Sequence, residues 1–220
     1  GRVQPALTPR TAAAAARVLD RIGISTIRVP QAGCCGAVTF HLDAEKQAHA
    51  AMRRNIDAWW PHIEAGAEAI VITASGCGVM VKDYGWQLAR DPAYASKAKR
   101  ISDIALDISE LVMKEEAALV NALAGRKVSS GRRYVYQSPC TLQHGMKLQG
   151  RVEALLTRLG FELPPVQNAH LCCGSAGTYS ITQPQLSKQL LDNKIEALKR
   201  SAPDCILTSN VGCQSHLQGA

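Results

Sequence analysis

Aromatic side chains are scarce in this sequence: two Phe, three Trp and five Tyr among 220 residues. Proteins that grip single-stranded nucleic acid stack bases on such rings. The Lys and Arg residues are scattered, with short clusters only at Lys97–Arg100 and Gly131–Arg133. A net charge of +7 therefore does not make nucleic acid an expected partner. It suits an acidic partner, an anionic membrane surface, or cysteine thiolates counted here as neutral thiols. Long apolar runs are also missing. No stretch approaches the roughly 18–20 residues of a membrane helix, and Arg17, Asp20 and Arg21 interrupt the Ala-rich segment RTAAAAARVLD. No secretory signal is visible. Two further absences bear on chemistry. No C-x-x-C pair of the zinc-ribbon kind occurs, and no G-x-G-x-x-G follows an expected strand.

What the sequence has instead is cysteine, at positions 34, 35, 77, 140, 172, 173, 205 and 213. Without a secretory signal these read as reduced thiols, so metal ligation is favoured over a disulfide framework. Two of the sites are adjacent pairs followed by glycine, AGCCGAV (32–38) and LCCGSAG (171–177). Adjacent cysteines strain a mutual disulfide, so each pair points its thiols elsewhere or buries them as small hydrophobes.

The chain is a duplication. Cys34-Cys35-Gly36 and Cys172-Cys173-Gly174 are 138 residues apart. RVLDRIG (17–23) resembles ALLTRLG (154–160), and AIVITASGCG (69–78) resembles CILTSNVGCQ (205–214). The first repeat is expected over 1–125 and the second over 126–220, with AGRKVSSGRR as the linker. In the first, a helix is expected from Pro9 to Ile22, capped by Thr8 and closed by Gly23. A strand at Ile24–Val29, a helix over Ala44–Ala65, a strand at Ala69–Thr73 and a helix over Ser102–Leu123 follow. In the second, strands are expected at Arg133–Gln137 and Cys205–Ser209, and helices over Lys147–Leu159 and Gln185–Lys199. This alternation predicts an α/β fold: a duplicated small parallel-sheet unit with helices on its faces. The cysteines fall in loops at the carboxyl ends of the strands, where open α/β sheets form their ligand crevice.

In the second repeat, Cys140, Cys172, Cys173 and Cys213 offer four thiolates. Sulfur ligands select zinc, copper(I) or iron–sulfur clusters. Adjacent ligands spread more easily around a bulky cluster than around one ion. Glycines at 33, 36, 76, 78, 174, 177 and 212 let backbone approach and offer N–H groups to sulfur.

The strings AGCCGAV, WWPHIEAGAEAIV, SGCG, CTLQHGMKL, LCCGSAGTYS and NVGCQSHL resemble the cysteine-rich CCG domain, found twice in heterodisulfide reductase B-type subunits and in iron–sulfur subunits of flavin-linked dehydrogenases. Within that group they are most similar to the glycolate oxidase (glycolate dehydrogenase) iron–sulfur subunits, over essentially the whole chain. The resemblance implies an electron-transfer subunit rather than a catalytic one. Flavin-binding partner subunits would oxidise glycolate to glyoxylate, and iron–sulfur centres would pass electrons toward a membrane-associated acceptor. It also implies [4Fe–4S] clusters and a cytoplasmic location, peripheral on the membrane. Cys140, Cys172, Cys173 and Cys213 would hold one cluster. Cys34, Cys35 and Cys77 would belong to a second site.

Two departures from that family matter. Its first repeat opens with a cysteine, whereas this chain reads GRVQPAL, with Arg2 spaced from Cys34 as Cys140 is from Cys172. A guanidinium cannot replace a thiolate, so the first site is expected to be incomplete, with water, His41 or Met80 as substitute ligands. The strand before Cys140 has no counterpart before Gly1, and the family's ferredoxin-like part is missing, so the sequence reads as a fragment or a reduced member. Unless a partner replaces that strand, the first sheet would keep an open edge. His144, His216 and His170 are candidates for contacts around the second site, with capping and surface roles as the plainer reading. Cys205, Trp59 and Trp60 read as packing residues, as do Tyr84 and Tyr179. Two alternatives stay open: a heterodisulfide-type reductase, and a zinc-bound or metal-free module that docks flavin subunits.

Overall fold

The computed structural model describes residues 3–126, 128–129 and 131–220. The chain divides into two compact units, Gly1–Leu111 and Val112–Ala220. In chain order the first carries α1 (Val3–Leu7), α2 (Arg10–Arg21), α3 (Ala37–His41), α4 (Glu45–Glu64), β1 (Ile70–Ile72), α5 (Ser75–Lys82), α6 (Tyr84–Gln87), α7 (Ala95–Ile104) and β2 (Ala105–Asp107). The division falls within α8 (Ile108–Lys114). The second unit continues with α9 (Glu116–Leu123), β3 (Tyr134–Gln137), a π-helical turn (Thr141–Gly145), α10 (Arg151–Arg158), α11 (Tyr179–Thr182), α12 (Pro184–Lys199), β4 (Cys205–Thr208) and α13 (Val211–Gln218).

Among the described residues each unit holds one two-stranded parallel sheet, β1 with β2 and β3 with β4. The α/β class and the duplication expected from the sequence are therefore present. The repeat is visible in detail at the helix ends. After α2, Ile24 N donates to Leu19 O (2.9 Å) and Gly23 N to Asp20 O (3.0 Å). After α10, Phe161 N donates to Leu156 O (3.0 Å) and Gly160 N to Thr157 O (2.9 Å). Both are the paired bonds of a Schellman stop, placed at equivalent glycines of RVLDRIG and ALLTRLG.

Three local expectations differ from the structure. Ile24–Val29 forms no strand, and Ile27 is 66% exposed; without a neighbouring strand to pair with, its β-branched residues do not make a sheet. The expected helix over Ser102–Leu123 is interrupted by β2, because Ala105–Asp107 finds parallel partners in Ile70–Ile72. That tertiary pairing overrides a helical pattern. Thr8 does not cap α2: its hydroxyl donates back to Gln4 O at 3.2 Å.

The core of the first unit gathers Met52, Ile56, Tyr84, Leu88 and Ile101, with Cys35 and Met80 among them and Cys77 packed against it. In the second, Val135, Leu191, Leu198 and Leu217 form one apolar cluster, and Tyr136, Leu142, Leu148 and Val152 another. No helix among the described residues is long and apolar enough to cross a membrane.

The glycine after each cysteine pair is fixed by geometry. Gly36 and Gly174 both have φ of 91°. A Cβ on Gly36 would sit 3.1 Å from Ala48 O on α4, and one on Gly174 would overlap Ser187 O on α12. The loop can rest on the helix only where no side chain intervenes. Gly174→Ala should therefore destabilise the second unit by about 3 kcal/mol or more, combining left-handed strain with backbone overlap. Gly160→Ala, also at positive φ but with open space around it, should cost about 1–2 kcal/mol. Urea unfolding followed by circular dichroism compares the two.

Candidate metal centre

Each strand that leads to a cysteine runs into a helical turn rather than the loop expected from the sequence. Cys77 is the third residue of α5 and Cys213 the third of α13, each five residues beyond its strand. Cys140 stands immediately before the π-helical turn that follows β3. The free N–H groups and partial positive charge of a first helical turn favour thiolate over thiol. Asn210 caps α13 by accepting from Gly212 N at 2.8 Å. Only the adjacent pairs, Cys34-Cys35 and Cys172-Cys173, lie in loops.

Because β3 and β4 are parallel neighbours, Cys140 and Cys213 both follow the same edge of the sheet, and the loop resting on α12 carries Cys172 and Cys173. The four thiols act on one another. The neighbouring Cys172 raises the Cys140 thiol, and Cys140 and Cys173 together lower Cys172 far below its usual range. Cys173 donates to Cys213 Sγ at 3.2 Å. Acted on by Cys172 and Cys213 and buried, Cys173 is pushed up, while Cys213 is lowered. Gly174 N donates to Cys172 Sγ at 3.3 Å. The buried Gln137 side chain, which donates to Ser138 O at 2.9 Å, also lowers Cys213.

Around these cysteines the loop is held from two sides. Gln143, on the π-turn, donates to Ser138 O (2.7 Å) and Ala169 O (3.0 Å). From α12, Ser187 Oγ donates to Gly174 O at 2.9 Å, and the buried Lys194 ammonium reaches Asn168 O and Ala169 O. His216 Nε2 lies 3.2 Å from Ser187 Oγ, and an exposed His144 ring nitrogen lies 3.4 Å from His170 O. Cys205, the first residue of β4, is half-buried, its sulfur 3.9 Å from Ile206 O.

In the first unit Cys35 and Cys77 act on each other, raising the buried Cys35 thiol and lowering Cys77, and the exposed Cys34 also acts on Cys77. Arg2 lies outside the described residues. His41 ends α3 edge-on to Phe40, and Met80 is in the core. Asn55 is the hub here. Its Nδ2 donates to Cys34 O (2.9 Å) and Tyr84 Oη (3.0 Å), and its Oδ1 accepts from Gly33 N (2.7 Å). Tyr84 Oη donates in turn to Cys35 O at 2.9 Å. Trp59 packs on Tyr84, ring centroids 6.3 Å apart, and Trp60 lies beneath Lys97.

Sequence reasoning singled out the cysteines but not Asn55, Gln137, Gln143, Ser187 or Lys194. One signal was available: NIDA (55–58) aligns with KIEA (194–197) once the repeat is drawn, marking one helical face in each half.

Four thiols from three chain segments form a donor set for a soft metal centre. Among the described residues no three His, Cys, Asp or Glu side chains converge as a single ion requires. The pattern that defines the cysteine-rich domain, CCG, matches residues 2–82 and again 134–218. The chain belongs to the CCG cysteine-rich domain family. It is 54% identical, over all of its length, to the glycolate oxidase iron-sulfur subunit of Escherichia coli (strain K12), of which it spans 53%. Lactate utilization protein A of Geobacillus thermodenitrificans is 30% identical over 94% of this chain and 82% of that protein. The probable glycolate oxidase iron-sulfur subunit of Bacillus subtilis is 27% identical over 90% of this chain and 43% of that protein.

Replacing Asn55 with Leu removes the bonds that seat the first CCG loop and leaves buried polar groups unmatched, at about 1–3 kcal/mol for each. Alkylation followed by peptide mass spectrometry should show Cys35 and Cys77 reacting faster in this variant, with the second-unit cysteines unchanged.

Proposed function

We propose that the second unit holds an iron–sulfur cluster on Cys140, Cys172, Cys173 and Cys213, and that the chain passes electrons within a complex that oxidises a 2-hydroxy acid. The observation that carries this reading is the gathering of Cys140, Cys172, Cys173 and Cys213, each shifting the titration of a neighbour, beyond the ends of two parallel strands, with the Cys173 and Cys213 sulfurs 3.2 Å apart. The relatives' names support it, referring to an iron-sulfur subunit of glycolate oxidase and to lactate utilization.

A [4Fe–4S] cluster bound there supplies one-electron exchange, its potential set by burial, charge and hydrogen bonds to sulfur. The chain's own residues do the rest. The two strand ends and the CCG loop bring the thiolates in from separate segments. The buried Cys173 and Cys213 hold water away from one side, while the Gly174 N–H directs a hydrogen bond at the Cys172 sulfur. The first unit, with Cys34, Cys35 and Cys77 and with Arg2 at the repeat position of Cys140, is read as a partial site. Electrons would arrive from flavin-binding subunits that oxidise glycolate to glyoxylate. They would leave toward a membrane-associated acceptor, with the complex cytoplasmic and peripheral on the membrane.

Anaerobic titration of the purified chain with a one-electron reductant tests this. The expected uptake is about one electron per chain, abolished by Cys213→Ser and retained by Cys205→Ser. A folded chain that accepts no electrons contradicts the reading and leaves a docking module. Thiol release from an added disulfide substrate would point instead to a heterodisulfide-type reductase.

A further inference from the structure

Helix α12 carries one charge that four thiolate ligands do not explain. Lys194 is 3% exposed, and its ammonium donates to Asn168 O at 3.1 Å and Ala169 O at 3.2 Å, in the loop leading to Cys172. Among the described residues no carboxylate pairs with it. Burial pushes the pKa of this ammonium down, and the chargeable groups that oppose that fall are the sulfurs of Cys140, Cys173, Cys172 and Cys213. Burying an ammonium without a carboxylate is costly. Six residues earlier on the same helix, Lys188 behaves as a surface lysine does, pairing with Asp192 at 2.8 Å in solvent.

The duplication supplies an internal comparison. Ala48 and Ser187 are the residues on which Gly36 and Gly174 rest. Seven residues on, and so on the same helical face, stand Asn55 and Lys194. Both are buried, and both donate to backbone carbonyls of the loop that carries the cysteine pair or leads to it. The neutral amide of Asn55 seats the loop of the first unit. Seating the loop therefore does not require a positive charge, and the charge on Lys194 has another role.

We propose that Lys194 is a positioning residue that offsets the negative charge of the second-unit thiolate site and raises the midpoint potential of the cluster held there. The inference rests on the cluster assignment proposed above. Reduction adds a negative charge to the site, and a fixed cation nearby stabilises the reduced form over the oxidised one. The first unit, with Asn55 in this place, lacks that contribution.

The test compares the cluster-loaded wild-type chain with Lys194→Gln, which keeps an amide donor without charge, and Lys194→Arg, which keeps the charge. Iron content is measured on each, and the midpoint potential is read by redox titration monitored by electron paramagnetic resonance. At a fixed poise, Lys194→Gln should lower the ratio of reduced to oxidised cluster by about tenfold or more, equivalent to about 59 mV for a one-electron couple. Lys194→Arg should stay within about threefold of wild type. Should Lys194→Gln fail to load iron, Lys194→Met, which retains the apolar stem, must show a shift of the same sign. Fully loaded neutral variants that match wild type overturn the proposal while leaving the cluster in place. A wild-type chain that holds no iron overturns the cluster assignment and this inference with it.

Discussion

The architecture of the second unit turns on one close contact, the seat of Gly174 against the Ser187 carbonyl of α12. Any side chain at that position would lift the loop from the helix. With the loop seated, Cys173 meets Cys213 beyond the end of β4, and Cys140 follows the same edge of the sheet because the strands are parallel. The same helical face then brings Lys194 within reach of the loop. One backbone approach thus aligns the thiols, the helix and the buried cation. Gly36 and Ala48 repeat the contact in the first unit.

The two copies have kept the scaffold and changed its chemistry. In both, a parallel strand ends five residues before a cysteine on the first turn of a helix, and a left-handed glycine follows a cysteine pair. The second copy has four cysteines, and a buried ammonium holds the loop that leads to two of them. The first has Cys34, Cys35 and Cys77, with Asn55 and Tyr84 forming a neutral network in the core. The strand beside β1 also differs, because β2 comes later in the chain than β1 whereas β3 precedes β4. Duplication supplied two similar frames whose electrostatics are no longer alike.

Much of this was legible in the sequence. The cysteine pairs, their glycines, the parallel α/β class and the duplicated order all rest on covalent spacing and hydrophobic pattern. The rest depended on tertiary partners. Ile24–Val29 has the composition of a strand but no neighbour to pair with, and Ala105–Asp107 sits in a helical pattern yet finds one. The placing of Cys77 and Cys213 on helical turns was hidden because SGCG and NVGCQ read locally as Gly-rich loops. Asn55 and Lys194 escaped notice because a polar residue on an amphipathic helix ordinarily faces water; only burial marks them as part of the site.

The central claim is that Cys140, Cys172, Cys173 and Cys213 hold one cluster. The most direct measurement is iron, acid-labile sulfide and zinc per chain after anaerobic purification, on wild type, Cys172→Ser/Cys173→Ser and Cys34→Ser/Cys35→Ser. The account predicts about four irons and four sulfides in wild type, lost when the second pair is replaced and kept when the first is. Zinc alone, a folded chain without metal, or iron that depends on Cys34 and Cys35 instead would contradict it.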